Sequence, residues 1–184
     1  MATVPVPTTW VDGTVVHGSD LNTQVRDSVN FLLGPPMCQV NSVSGIASLA
    51  NATNSAAITF DAETYDNDNM HSIGTNPSRV IIQTLGWFDI QTFIGYAGNA
   101  TGQRYMQLRL NSAGSATGGT FITSNGVGVG DAHGAAFSPA INITYQAVNV
   151  GDYFEIFGWQ SSGGALAITG GQYNTGLTAR WVHN

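Results

Sequence analysis

Apolar residues are spaced in two different ways along this chain. Near the front, Leu21, Val25, Val29 and Leu32 follow one another at steps of four, four and three. That spacing lines one face of an α-helix. Ser19 is a suitable N-cap, and Asp20 falls in the first turn, where the helix dipole favours a carboxylate. Gly34 can take a left-handed position after the last turn, and Pro35-Pro36 bars continuation. A helix of about 14 residues is marginal alone in water. The stripe must therefore dock on its own β-domain, on sister chains or on a larger assembly. Ahead of it, Val4-Pro-Val-Pro-Thr-Thr-Trp10 favours an open, extended course. An arm carrying Trp10 and followed by a short amphipathic helix suits an attachment device. It equally suits a segment that packs across the base of its own domain.

From residue 56 onward the period falls to two, the signature of strands with one buried face. Ala56–Phe60 and Arg79–Gln83 predict short strands. Along Gly86–Ala97, Phe88, Ile90, Thr92, Ile94 and Tyr96 face one way while Asp89 and Gln91 face the other. Along Arg104–Asn111, Met106, Leu108 and Leu110 point inward, with Gln107, Arg109 and Asn111 outward. Further strands are predicted at Thr120–Thr123, Ile141–Val148 (Ile141, Ile143 and Tyr145 inward), Asp152–Trp159, Ala165–Thr169 and Leu177–His183. Glycine-rich turns such as Gly118-Gly119 and Gly170-Gly171 separate them. Eight to ten short strands without intervening helices define an all-β antiparallel sandwich or barrel. Residues 37–55, rich in Ser, Asn, Ala and Gly, read as a linker or a loosely held strand. The chain thus divides into an arm and helix (1–36), a linker (37–55) and a β-domain (56–184).

Composition narrows the function. Only 9% of the residues are charged, no lysine is present, and five arginines stand against eleven carboxylates for a net charge of −6. Such a chain has little with which to neutralise phosphates, and an anionic membrane surface would repel it. No partner of either kind is expected. Low surface charge suits an oligomer that buries much of its surface. Cys38 is the sole cysteine, which rules out an intrachain disulfide and fits a half-buried apolar role. No signal-peptide pattern and no membrane-length apolar run occur, so synthesis in a cytosol is expected.

The order of features in the second half resembles the TNF-like family, in particular the globular heads of complement. Ile58-Thr-Phe-Asp61, Tyr65-Asp66, Met70-His71 and Asn76-Pro-Ser-Arg79 resemble its entrance. Leu85-Gly-Trp-Phe88, Thr101-Gly-Gln-Arg104 and Val150-Gly-Asp-Tyr153-Phe-Glu-Ile156 follow in the family's order and rough spacing, and Leu177–Val182 is similar to its closing strand. The resemblance covers about 56–184 and implies a jelly roll of about ten strands, forming tight homotrimers about an axis lined by aromatic and aliphatic side chains. Tyr153 and Phe157 are the residues whose position matches that axis; packing within the sandwich is the alternative. A second resemblance joins Thr9-Trp10-Val-Asp-Gly13-Thr-Val-Val16, Leu21-Asn22, Val25-Arg26-Asp27, Phe31-Leu32 and Pro35-Pro36 to the starts of minor tail and other virion proteins of actinobacterial phages. It implies an anchor to capsid or tail proteins, with Trp10, Leu21, Val25, Val29 and Leu32 as its contacts.

Signals of chemistry are few. The chain has no Gly-x-Ser-x-Gly elbow, a P-loop is excluded by the lack of lysine, and His17, His71, His133 and His183 are scattered. Gly126-Val-Gly-Val-Gly130 leads into a loop, as a flexible turn does. Asp66-Asn-Asp-Asn69 places oxygens at alternate positions, so Asp66 and Asp68 are candidate calcium ligands, although the twelve-residue pattern is missing and such clusters commonly form turns. Asp131-Ala-His133 could bind a metal only if repeated around a threefold axis. Triplets of glycosylation type at Asn51, Asn99 and Asn142 read as accidental without a secretion signal. No cofactor and no enzymatic activity are expected. The reading is a homotrimeric structural protein on the exterior of a phage virion, made in the bacterial cytoplasm: a capsid decoration or head-fibre protein, or a small minor tail protein. The alternative is a receptor- or carbohydrate-binding adhesion module, with Trp87 and Trp159 stacking on a host surface glycan.

Overall fold

The computed structural model describes residues 2–128, 138–171 and 174–184. Its first sheet is built from β4 (Ala62–Asp66), β1 (Met37–Asn41), β12 (Thr175–His183), β6 (Gly86–Ile94) and β9 (Ala140–Ala147), in that spatial order. The second holds β3 (Thr53–Asn54), β10 (Tyr153–Gln160), β7 (Gln103–Leu110) and β8 (Thr120–Gly128), with β5 (Val80–Ile81) also paired to β10. A small pair, β2 (Ile46–Leu49) and β11 (Leu166–Ile168), completes the set, and every pairing is antiparallel. The sheets stack into a jelly-roll sandwich whose core comes from alternate residues of each strand.

The alternation read from the sequence is realised in β6, where Phe88, Ile90, Thr92 and Ile94 are buried and Gln91 is exposed. In β7, Arg104, Met106, Leu108 and Leu110 are buried while Tyr105, Gln107 and Arg109 lie on the outer face. Tyr96, just beyond β6, is fully buried and donates its hydroxyl to the carbonyl of Tyr105 in the opposite sheet at 2.6 Å. Gly158 makes room for this tie, since a Cβ there would sit 2.5 Å from the tyrosine oxygen.

Three expectations need correction. The segment 37–55 is integral to the fold: β1 lies between β4 and β12, and Cys38 and Val40 are wholly buried. Its small residues disguised a strand whose inward positions are only Cys and Val. Residues 56–60 run extended beside β10, with the Ile58 N–H bonded to the Ile156 carbonyl at 3.0 Å, but form no regular strand. The helix starts earlier, capped at His17, whose N–H donates to the Asp20 carboxylate at 2.9 Å. It runs as an α turn (Gly18–Leu21), a π-helical stretch (Asn22–Arg26) and an α segment (Asp27–Leu33). Gly34 ends it at φ −138°, outside the left-handed region, so Pro35-Pro36 supplies the stop.

The predicted stripe is not what docks this helix. Phe31, off the stripe, is its one buried residue and meets Trp181 of β12 edge-on, with ring centroids 4.8 Å apart. We expect Phe31→Ala to melt the helix while sparing the sandwich. Helical circular dichroism should fall with the main thermal transition moving by only a few degrees; a loss of the β signal at the same temperature would contradict a peripheral helix.

Candidate functional site

Two surfaces stand out, one on the outer face of the second sheet and one at the N-terminal arm. The first follows from register. Trp159 of β10 pairs with Asn54 of β3 and Tyr105 of β7, and Tyr105 pairs with Gly126 of β8. One rung across four strands is therefore Asn54–Trp159–Tyr105–Gly126. Two residues along lie Gln107 and Ser124, and two further lie Arg109 and Phe121. Side chains of period two project from one face, so these residues converge on a groove of about 430 Å³ lined by Asn54, Tyr105, Gln107, Arg109, Phe121, Ser124 and Trp159.

The aromatic rung is held rigidly. The Tyr105 ring lies flat across Gly126, where a Cβ would come within 2.0 Å of the ring carbons. Only glycine leaves this space, and the ring in turn covers the bare backbone. Trp159 meets Tyr105 edge-on at 5.6 Å, while the Tyr96 hydroxyl fixes the Tyr105 backbone from the core side.

Charge in the groove is set by who partners whom. Glu155 stands opposite Arg109 on β10, yet its carboxylate is fully engaged elsewhere. It accepts from the Ser112 hydroxyl (2.5 Å), the Ser78 hydroxyl (2.7 Å) and the Gly114 N–H (2.8 Å), and Arg79 Nε lies at 3.4 Å. Burial of Glu155 would raise its pKa, but the bonds from Ser112, Gly114 and Ser78, with the charge of Arg79, outweigh it and hold the carboxyl below its ordinary value. Arg109 turns to the Gly118 carbonyl (2.6 Å) and Gln107 (3.1 Å), with its guanidinium 5.6 Å from the Phe121 ring centre. Among the described residues no carboxylate pairs with it.

The second surface is the arm and helix. The Ala2 N–H donates to the Asp68 carboxylate, and the Ala2 carbonyl accepts from the Thr84 hydroxyl at 3.0 Å. Val4 packs against the core, and the Thr8 N–H reaches Gln24 at 2.9 Å. The arm thus runs beside the helix over Trp181. Of the predicted anchor residues, Leu21, Val25, Val29 and Leu32 are 47–70% exposed and Trp10 is 44% exposed. Val11, Val15, Val16 and Leu33 are exposed as well, an unusual concentration of apolar surface in one short segment.

The remaining candidates are dispersed. Trp87 lies on the outer face of the first sheet, stacked on His183 with centroids 5.6 Å apart, so it shares no surface with Trp159. Phe157 is wholly covered within its own subunit, which leaves it no surface for a trimer axis and corrects that expectation. Tyr153 is half-buried beneath the Arg79 guanidinium, 4.1 Å from its ring centre, and its hydroxyl accepts from the Ala113 N–H. Asp66 turns its oxygens to the N–H groups of Asp68, Met70 and His71, and Asp68 accepts from Thr84 as well as Ala2. Both carboxylates brace a turn, and among the described residues no group of three or more His, Cys, Asp or Glu converges for a metal. Burial, then Asp66 and Glu63, pushes the Cys38 thiol well above its usual range, so it is not poised as a nucleophile. Asp131 and His133, and the Gly130 end of the glycine-rich turn, lie outside the described residues. No helix among them is long and apolar enough to cross a membrane.

The sandwich is shared with solved structures. The globular domain of zebrafish complement 1qA covers 81% of this chain and 99% of its own length, with a TM-score of 0.52 at 12% identity. Murine APRIL covers 80% and 98% (TM-score 0.57, 10% identity), and the Eiger TNF of S. frugiperda 81% and 94% (0.54, 10%). No family profile matches the chain, and no curated protein sequence does. The fold is a TNF/C1q-like jelly roll. Identities this low establish the architecture alone.

Proposed function

We propose that the chain is a homotrimeric, non-enzymatic display domain on the exterior of a phage particle, held to capsid or tail proteins by residues 1–36. The observation that carries this reading is the exposed stripe. A helix serving only to cover its own domain would turn Leu21, Val25, Val29 and Leu32 inward, whereas here Phe31 does the docking and the stripe faces solvent. Apolar surface left out by the fold is surface kept for a partner. The likeness of residues 9–36 to virion proteins supplies the kind of partner: a decoration or head-fibre protein, or a small tail component. Self-association is supported by the TNF/C1q-like fold and by the incompletely covered edge of the sandwich at β8 and β9, where Ile122, Ile143 and Tyr145 are half-buried. Three weak anchors on one trimer bind a particle far more tightly than one.

The test combines Leu21→Ser, Val25→Ser, Val29→Ser and Leu32→Ser. We expect the trimer mass and melting temperature to be kept and incorporation into particles to fall at least tenfold. Dissociation of the trimer would reassign the stripe to the subunit interface, and unchanged incorporation would remove the anchor.

A further inference from the structure

We propose that the groove on the outer face of the second sheet binds an acidic oligosaccharide. This goes beyond the particle-anchoring reading and uses none of its residues.

The groove contains the three parts that such a ligand requires. A sugar ring has a C–H-rich face that lies on aromatic rings, and Trp159 and Tyr105 offer neighbouring rings at the groove floor, with Tyr105 immobilised over Gly126. A platform already fixed loses little freedom when the ligand arrives. Hydroxyl edges pair with planar amides and hydroxyls, supplied by Asn54, Gln107 and Ser124 around the groove. A carboxylate needs a cation, and Arg109 is one without a protein carboxylate partner among the described residues. Its bonds to Gln107 and Gly118 use Nε and Nη1, so Nη2 is left for a ligand on a side chain that lines the groove.

The charge balance favours this occupant over a basic or neutral one. In a chain of net charge −6, an arginine whose cross-strand neighbour Glu155 is satisfied by other groups marks a local site for an anion. Tyr105 and Arg109 lie four residues apart on β7, about 13 Å along the strand. That span calls for several linked sugars, with the aromatic rung at one end and the acid-binding end at the other.

The test is titration of the full-length trimer with an oligogalacturonate and with its methyl ester, which keeps the shape and removes the charge. We expect the acid to bind, more weakly as salt is raised, and the ester to bind roughly tenfold or more less tightly. Arg109→Gln should abolish the preference for the acid, and Trp159→Ala should weaken both ligands. The variant with the polar helix stripe should bind like the parent chain, which separates failure of the anchor from failure of the groove. No binding of either ligand at millimolar concentration, equal affinity for acid and ester, or an unchanged preference in Arg109→Gln would overturn the proposal.

Discussion

Replacing Glu155 with Ala should cost about 3–5 kcal/mol, a large fraction of the stability of a domain this size. The carboxylate is wholly buried and gathers the Ser112 and Ser78 hydroxyls, the Gly114 N–H and Arg79 around one point. Removing it leaves those donors without their acceptor and a cation without its counter-charge, where the 78–79 and 112–114 segments meet. Chemical denaturation should show a lower midpoint with an unchanged slope. The pH dependence has a definite sign. Because the folded carboxyl titrates below its ordinary value, its contribution is complete above the unfolded glutamate range, about pH 4.3, and is lost as pH falls towards the lower folded value. Glu155→Gln should therefore flatten the acid limb of the melting-temperature profile. A parent profile just as flat below pH 5 would argue that the site contributes nothing electrostatic.

The second large effect is expected at Tyr96. Truncation to Ala opens a cavity between the sheets and removes the hydroxyl that ties β6 to β7, and aromatic-to-Ala changes in such positions cost about 3–5 kcal/mol. Tyr96→Phe keeps the ring and loses only the bond to the Tyr105 carbonyl, for about 1 kcal/mol. Because that bond also steadies the backbone under the aromatic rung, Tyr96→Phe should weaken saccharide binding more than its small melting shift suggests. Equal melting temperatures for Ala and Phe would show that the ring is not part of the core.

Much of the sandwich could be read from the sequence because its long strands obey period two. Phe88, Ile90 and Ile94 in β6, and Met106, Leu108 and Leu110 in β7, are buried as the alternation requires. The strand β1 was read only as a linker or a loosely held strand because its buried apolar positions, Cys38 and Val40, are few and small in a stretch rich in Ser, Asn, Ala and Gly. Phe157 lies outside the core cluster, yet it is wholly covered, so an outward position in the alternation does not make a residue exposed. The groove was half visible: Trp159 and the outward Arg109 were apparent, but their meeting depends on the register among β3, β10, β7 and β8, which no local pattern encodes. The Gly126–Gly130 run, read as a flexible turn, begins as strand: Gly126 and Gly128 belong to β8, and Gly126 is where the Tyr105 ring lies against the backbone, as glycines inside strands often allow. On the helix, the stripe was read correctly as apolar, but only the tertiary contact of Phe31 with Trp181 decides which face turns in.

The arm is fastened at its beginning by the two main-chain bonds of Ala2 and at its far end by Phe31. Chain between two fixed points behaves as a clasp, not a dangling tether, with far fewer conformations to give up when it engages. A pull on this segment would load both fastenings, so peeling it from the domain requires the Ala2 hook and the Phe31–Trp181 seat to yield together. A cut between them would leave each part of the segment held at a single point.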